Sequence, residues 1–144
     1  MRILYIEDDE WGEDYAGLLK QEGYSVDYCA NIGLAMEHLE EKNSNYYDAL
    51  LLDLDMNAAD LPCEYREIIM NSKRKMFAGW VFYNNYIRDN YAYLLERTVF
   101  FTGYVAKLKD NISPEEFDKL KIVSKIESDS IKPIKAFLKD STAN

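Results

Sequence analysis

Short apolar runs in this chain end in side chains that could do chemistry. Arg-Ile-Leu-Tyr-Ile leads into Glu7, Asp8 and Asp9, and Ala-Leu-Leu-Leu leads into Asp53. Thr-Val-Phe-Phe leads into Thr102, and residues 120–124 lead into Lys125. If these runs are strands of an open parallel sheet, their carboxyl ends form the edge where ligands bind. An acidic pair, a lone Asp, a hydroxyl and an ammonium would then share one crevice. Crowded carboxylates are costly unless a cation or protons neutralise them. Oxygen donors alone suit Mg2+, which takes ligands at about 2.0–2.1 Å and keeps several waters. No His or Cys set stands nearby to favour zinc.

Asp53 is the candidate nucleophile, because an Asp carboxylate can form an acyl phosphate. A metal ion would offset its repulsion of an incoming phosphoryl group. Lys125 would neutralise one phosphoryl oxygen and the Thr102 hydroxyl would donate to another, which is positioning plus electrostatics. Taken singly these residues say little, since an acid after a strand is often only a helix N-cap. The specificity lies in their order and in the strand ahead of each.

The elements that must position them alternate along the chain. Residues 3–6 read as a buried strand: short, apolar and without alternation. Residues 10–21 read as a helix with Trp11, Tyr15, Leu18 and Leu19 on one face, stopped by Gly23. Residues 24–28 alternate as a second strand. Asn31 stands where it could cap a helix carrying Ile32, Leu34, Ala35, Met36 and Leu39, and Asn43-Ser44-Asn45 breaks that helix. Residues 48–52, the most apolar run, read as a third and central strand. A helix over residues 80–87 continues to about Tyr91, and residues 98–101 form the fourth strand. Ser113-Pro114-Glu115-Glu116 opens a helix, with Ser as cap, Pro first and Glu third. Residues 120–124 are the fifth strand. The last helix starts near Ser128 or Ser130 with Ile131, Ile134, Phe137 and Leu138 inward. Pro133 is tolerated only in its first turn, which favours Ser130 as cap. Strands alternating with helices predict a doubly wound parallel sheet covered on both faces.

Composition narrows the classes. The 144 residues suffice for one domain with a real core, and 48% hydrophobic content argues against disorder. No apolar run approaches the roughly 20 residues of a membrane helix, and acids from position 7 speak against a signal peptide. A soluble cytoplasmic protein is the expectation. The net charge of −9 is uneven: residues 1–60 hold 15 acids and 3 bases, residues 61–144 hold 11 and 14. An acidic chain without a basic stripe is a poor nucleic-acid binder, so neither nucleic acid nor a membrane is an expected partner. Cys29 and Cys63 lack zinc or redox spacing and read as small buried side chains. With His38 as the single histidine, a histidine metal site or a Ser-His-Asp triad is nearly excluded. Glu37, Glu40 and Glu41 around it suggest an exposed helix face. Tyr83, Tyr86, Tyr91 and Tyr93 read as packing of the third helix and its exit.

The order of these residues resembles the receiver domain of two-component response regulators, over nearly the whole chain. Met-Arg-Ile-Leu-Tyr-Ile-Glu-Asp-Asp is similar to the family's first strand and acidic pair, placed at Glu7 and Asp8. Tyr47-Asp48-Ala-Leu-Leu-Leu-Asp53 is similar to its phosphoacceptor strand, which makes Asp53 the phosphorylated residue. The resemblance implies that the backbone carbonyl of Asp55 completes the metal shell around Mg2+. It implies that Thr102, in Phe100-Phe101-Thr102-Gly103, is the switch hydroxyl and that Lys125 is the phosphate-binding Lys. Lys132-Pro133 imitates the familiar Lys-Pro pair, but no clean apolar run precedes it. The implied fold is a flavodoxin-like five-stranded sheet of order 2-1-3-4-5, forming a single receiver domain over residues 1–144. The implied partners are a histidine kinase or phosphotransfer protein and an unidentified downstream protein, with a homodimer open.

The chain departs from the family pattern at several points. Asn57 stands where Pro is usual, Ile126 where Pro follows the Lys, and Ile122 at the aromatic switch position. Ser113-Pro114 interrupts the region of the fourth helix. Gly79 resembles the Gly that opens the third helix, which implies an insertion at about residues 57–78. That segment reads as a short helix over residues 61–70 followed by Lys73-Arg74-Lys75, and is a candidate lid or docking element. These departures leave a pseudo-receiver, an interaction module without phosphorylation, as the alternative. Asp53-Leu-Asp55 also resembles the Asp-x-Asp motif of haloacid-dehalogenase-type phosphatases. That family places the motif near its N-terminus and needs a later acidic strand, and neither holds here.

Overall fold

The computed structural model describes residues 1–72, 77–125 and 129–142. Five strands, β1 (Arg2–Ile6), β2 (Ser25–Cys29), β3 (Ala49–Leu52), β4 (Thr98–Thr102) and β5 (Lys121–Ser124), form one sheet. Its order is β2-β1-β3-β4-β5 and every pairing is parallel. The expected doubly wound architecture is the one the chain adopts, and β3 is central. Every residue of β3 and β4 is buried. That explains their unbroken apolar runs, because a strand covered on both faces has no solvent side to alternate toward.

The two faces bury separate sets of side chains. Ile3, Tyr5, Leu51, Val99 and Phe101 pack under α1 (Gly12–Gln21) and α7 (Ile131–Thr142). Leu4, Ile6, Leu50, Leu52 and Phe100 face the other helices. These are α2 (Ile32–Glu41), α3 (Cys63–Asn71), α4 (residues 78–90) and α5 (Val105–Asn111). A short α6 (Pro114–Asp118) leads into β5. Phe82, Phe100 and Phe101 are wholly buried, and each such side chain stabilises the fold by about 1.5–3 kcal/mol relative to exposure.

Local chemistry sets the boundaries. Asn31 Oδ1 accepts a hydrogen bond from Leu34 N at 2.8 Å, and Ser113 Oγ accepts one from Glu116 N at 3.2 Å, so both expected caps form. Ser130 immediately precedes α7, and Pro133 lies in its first turn. Gly23 follows α1 with φ of 96° and Asn45 has φ of 64°, the left-handed region where Gly and Asn are tolerated.

Two expectations need correction. The inner face of α1 is Gly12, Ala16 and Leu19, whereas Trp11 and Leu18 are 57% and 43% exposed. The helix begins at Gly12, later than expected, and the loop before it turns Trp11 outward with its N–H on Asp9 Oδ1. Cys29 is buried but Cys63 is exposed, being the first residue of a surface helix. The helix expected over residues 80–87 and on to about Tyr91 forms, with a π stretch, Phe82–Ile87, between Ala78–Val81 and Arg88–Asn90. Within it Tyr86 stacks on Phe82, with centroids 5.2 Å apart.

The segment between β3 and α4 holds a 3-10 turn at Ala58–Asp60 and then α3. It is tied to the core through buried Leu61 and Tyr65, and the Tyr65 hydroxyl donates to Asp89 Oδ2 at 2.9 Å. Lys73, Arg74 and Lys75, together with Ile126 and Ser128, lie outside the described residues. Tyr83 and Tyr86 are buried, and Tyr91 and Tyr93 pack against the same core. No helix among the described residues is long and apolar enough to cross a membrane.

Candidate functional site

Glu7, Asp53 and Lys125 each stand one residue past the carboxyl end of a strand, Thr102 is the last residue of β4, and Asp8 and Asp55 follow in the loops. Glu7 N donates to Cys29 O at 3.0 Å, Asp53 N to Ile6 O at 3.2 Å and Lys125 N to Thr102 O at 3.0 Å. The sheet ladder thus extends one rung past β1, β3 and β5 and fixes these backbones. Thr102 closes β4 opposite Ser124. Sheet order then brings Glu7, Asp53, Thr102 and the residue after Ser124 to one edge.

The side chains converge. One carboxylate oxygen each of Glu7, Asp8 and Asp53 lie within 4.8 Å of one another. Lys125 Nζ lies 2.6 Å from Glu7 Oε2, 3.3 Å from Asp53 Oδ2 and 3.7 Å from Asp9 Oδ2. Asp53 Oδ1 accepts the Leu54 N–H at 2.8 Å and Glu7 Oε1 accepts the Asp9 N–H at 3.1 Å. Glu7 Oε2 is buried, and among the described residues the Lys125 ion pair is its compensation. Lys132, by contrast, sits exposed in the first turn of α7, where its N–H meets Asp129 Oδ1. It is Lys125 that meets the carboxylates.

Thr102 is fully buried, and its Oγ1 accepts the Tyr104 N–H at 3.1 Å. Asp55 is exposed in the loop after Asp53. Ile122 is half-buried on β5 beside Phe100 and packs toward the α4 face.

Electrostatics follow from burial and crowding. The Glu7 carboxyl is pushed up to about 8, first by burial and then by Asp53, with Lys125 pulling the other way. Asp8 is raised as well, by burial, by Asp53 and by Asp55. Burial pulls the Lys125 ammonium down, but Glu7 and Asp53 outweigh it and the net shift is upward. Four carboxylates, of Glu7, Asp8, Asp9 and Asp53, against one ammonium leave the crevice short of positive charge. An all-oxygen donor set in that state fits a hard divalent cation such as Mg2+.

Several contributors were not singled out in the sequence. The Tyr28 hydroxyl donates to the Glu7 carbonyl at 2.8 Å and holds the turn after β1. The Tyr5 ring lies tilted against Tyr28, centroids 5.6 Å apart, with its hydroxyl buried and without a hydrogen-bond partner among the described residues. Both sit at alternate strand positions that look like ordinary packing in the sequence. Gly79 does more than open α4. A Cβ there would collide with the Asp53 carbonyl oxygen and the Leu54 backbone, while Gly79 N donates to Leu54 O at 2.9 Å. The glycine lets α4 close on the loop that carries Asp53.

No protein-family model matches this chain, and no curated protein matches it in sequence. Solved structures do match, along nearly its whole length. The non-phosphorylated HemR receiver domain from Leptospira biflexa aligns over 99% of this chain and 94% of its own, with a TM-score of 0.59 and 19% identity. The chain has the receiver-domain fold. A response regulator receiver domain protein from Clostridium thermocellum aligns over 97% of this chain and 92% of its own, with a TM-score of 0.65 and 15% identity. The response regulator TrrA from Thermotoga maritima, solved in complex with Mg2+ and BeF, aligns over 97% of both chains with a TM-score of 0.63 and 20% identity. At these identities the likeness is one of fold.

Proposed function

We propose that this chain is a phosphoacceptor receiver. It takes a phosphoryl group onto Asp53 and signals by protein contact. The observation that carries this reading is the convergence of Glu7, Asp8, Asp53 and Lys125 at one sheet edge, with Thr102 on the neighbouring strand end.

An Asp53 carboxylate oxygen attacks the phosphorus of a phosphohistidine on a histidine kinase or phosphotransfer protein. The new P–O bond forms as the P–N bond breaks. The bonding pair leaves with the imidazole nitrogen, which takes up a proton. The Leu54 N–H on Oδ1 orients the carboxylate, leaving Oδ2 on the Lys125 side. Lys125 then turns from the carboxylates to the phosphoryl oxygens, and the Thr102 hydroxyl, 3.1 Å from the Tyr104 N–H, is at hand to donate to another. Glu7, Asp8, Asp53 and the Asp55 carbonyl would hold Mg2+, which when bound supplies positive charge against the phosphoryl oxygens. Residues 57–78 are read as an addition to the receiver plan, standing between the phosphoacceptor strand and α4.

A second reading, an interaction module that is not phosphorylated, is favoured by Ile122 at the position where the resemblance expects an aromatic switch. One experiment separates the two. The chain is incubated with Mg2+ and a small-molecule phosphodonor and weighed intact beside Asp53→Asn. A single phosphoryl adduct that needs Mg2+ and is missing from Asp53→Asn supports the receiver. No adduct on a folded chain that binds Mg2+ supports the second reading.

A further inference from the structure

A cavity of about 800 Å3 opens at the other end of the sheet from the carboxylates. It is lined by residues that precede β4, including Glu96 and Arg97, and by Leu120 and Lys121 at the start of β5. The proposed site uses the opposite, carboxyl ends of the same strands. The volume falls within the roughly 300–1,000 Å3 of small-molecule sites.

The cavity has one aromatic wall. Trp80 and Tyr83 are only 5% and 7% exposed, and their ring centroids lie 5.4 Å apart. Both pack on Phe100, at 5.9 Å and 4.9 Å, so the wall is anchored in the core and rigid. The two rings incline at 39° to each other, so the cavity meets their margins as a small apolar floor.

The cavity also gathers cations. Arg88, Arg97, Lys119 and Lys121 line it in a chain whose net charge is −9. Among the described residues Arg88, Arg97 and Lys119 form no ion pair, although the chain holds 26 acids. Arg88 is steadied by Asn84, through its carbonyl and Oδ1, both at 3.2 Å. Arg97 lies over the Tyr93 ring at 5.8 Å. Guanidinia fixed in this way present their remaining N–H groups as a preorganised fork for a carboxylate or phosphate. Glu96, Glu116 and Asp140 also line the cavity, so four cations face three carboxylates. That balance suits a ligand with one or two negative charges and disfavours a polyanion.

We propose that this cavity binds a small aromatic anion, its ring packed on the exposed margins of Trp80 and Tyr83 and its acidic group on Arg88 and Arg97. A nucleoside monophosphate and an aromatic carboxylate share this chemistry.

Trp11→Phe leaves Trp80 as the single tryptophan, and Trp11 is exposed enough for the fold to tolerate the change. That chain is titrated with AMP and, separately, with benzoate while Trp80 emission is followed. Calorimetry on the unsubstituted chain repeats both titrations, and neither readout involves phosphoryl transfer. The expected result is saturable binding of at least one anion, weakened about tenfold or more in Arg88→Gln/Arg97→Gln. AMP alone would assign a nucleotide phosphate, benzoate alone an aromatic acid. No saturable signal from either, or equal affinity in a folded double variant, overturns the proposal.

Discussion

Lys125 sits closer to Glu7 than to Asp53, 2.6 Å against 3.3 Å. The cation therefore compensates the wholly buried carboxylate first and the proposed phosphoacceptor second. Breaking a buried pair by removing one partner costs more than the pair is worth, because a charge is left uncompensated. Lys125→Ala should lose about 3–5 kcal/mol of stability at pH 8. Glu7 can take a proton at lower pH, so the loss should shrink at pH 5.5. Urea unfolding at the two pH values checks this. An equal loss at both would show that Lys125 acts through its packed stem alone.

Divalent-cation binding should depend on pH through Glu7. Its folded value, about 8, lies above the ordinary 4.5. A raised carboxyl favours the fold while protonated, so its contribution is complete below about 4.5 and is lost as pH rises through 8. Mg2+ competes with that proton. Affinity should therefore tighten from pH 6 to pH 8, with proton release on binding. Calorimetry in two buffers of different ionisation heat measures both, and a flat affinity with no proton release would remove Glu7 from the ion site.

Removing the crowding should loosen the demand for an ion. Asp53→Asn leaves Glu7 without its strongest like-charge neighbour. The thermal stabilisation expected when Mg2+ is added to the parent chain should shrink or vanish in this variant, read as the shift of Tm with added Mg2+. An undiminished shift would place the ion elsewhere.

Gly79→Ala should be costly well beyond a surface helix substitution. The added carbon meets backbone atoms of Asp53 and Leu54, which cannot rotate aside as a side chain could. Overpacking of this kind typically costs about 1–3 kcal/mol. Phosphorylation should fall with stability, because the displaced atoms belong to the proposed phosphoacceptor and its neighbour. Denaturant unfolding beside an adduct assay tests both, and a neutral substitution would show that α4 can shift.

Asn31→Ala should act on stability alone. It removes the acceptor for Leu34 N at the start of α2, a loss of about 1 kcal/mol. Adduct formation, measured below the unfolding transition, should be unchanged. A change would mean that the α2 cap is coupled to the site.

Much of the architecture was legible in the sequence because it rests on local rules. The runs through Leu50 and Phe100 are apolar without alternation, as strands covered on both faces must be, and the caps at Asn31 and Ser113 carry their own signature. The positions of Glu7, Asp53, Thr102 and Lys125 follow from the strand ends that precede them. What was not legible depends on neighbours distant in sequence. Trp11 faces solvent because a turn on Asp9 delays α1. Tyr28 reaches the Glu7 carbonyl only because β2 lies beside β1. The contact of Gly79 with the Asp53 loop appears only when α4 has docked, and the cavity by Arg88 and Arg97 draws its walls from residues 80 to 140.

The two thiols differ in a way that makes the molecule addressable. Cys29 is sealed in the core with its thiol pushed up to about 12 by burial, whereas Cys63 opens α3 in solvent. A maleimide dye or spin label should therefore attach at one position without mutagenesis. That position lies in the segment between Asp53 and Gly79, so the label would report motion there as the acidic crevice fills.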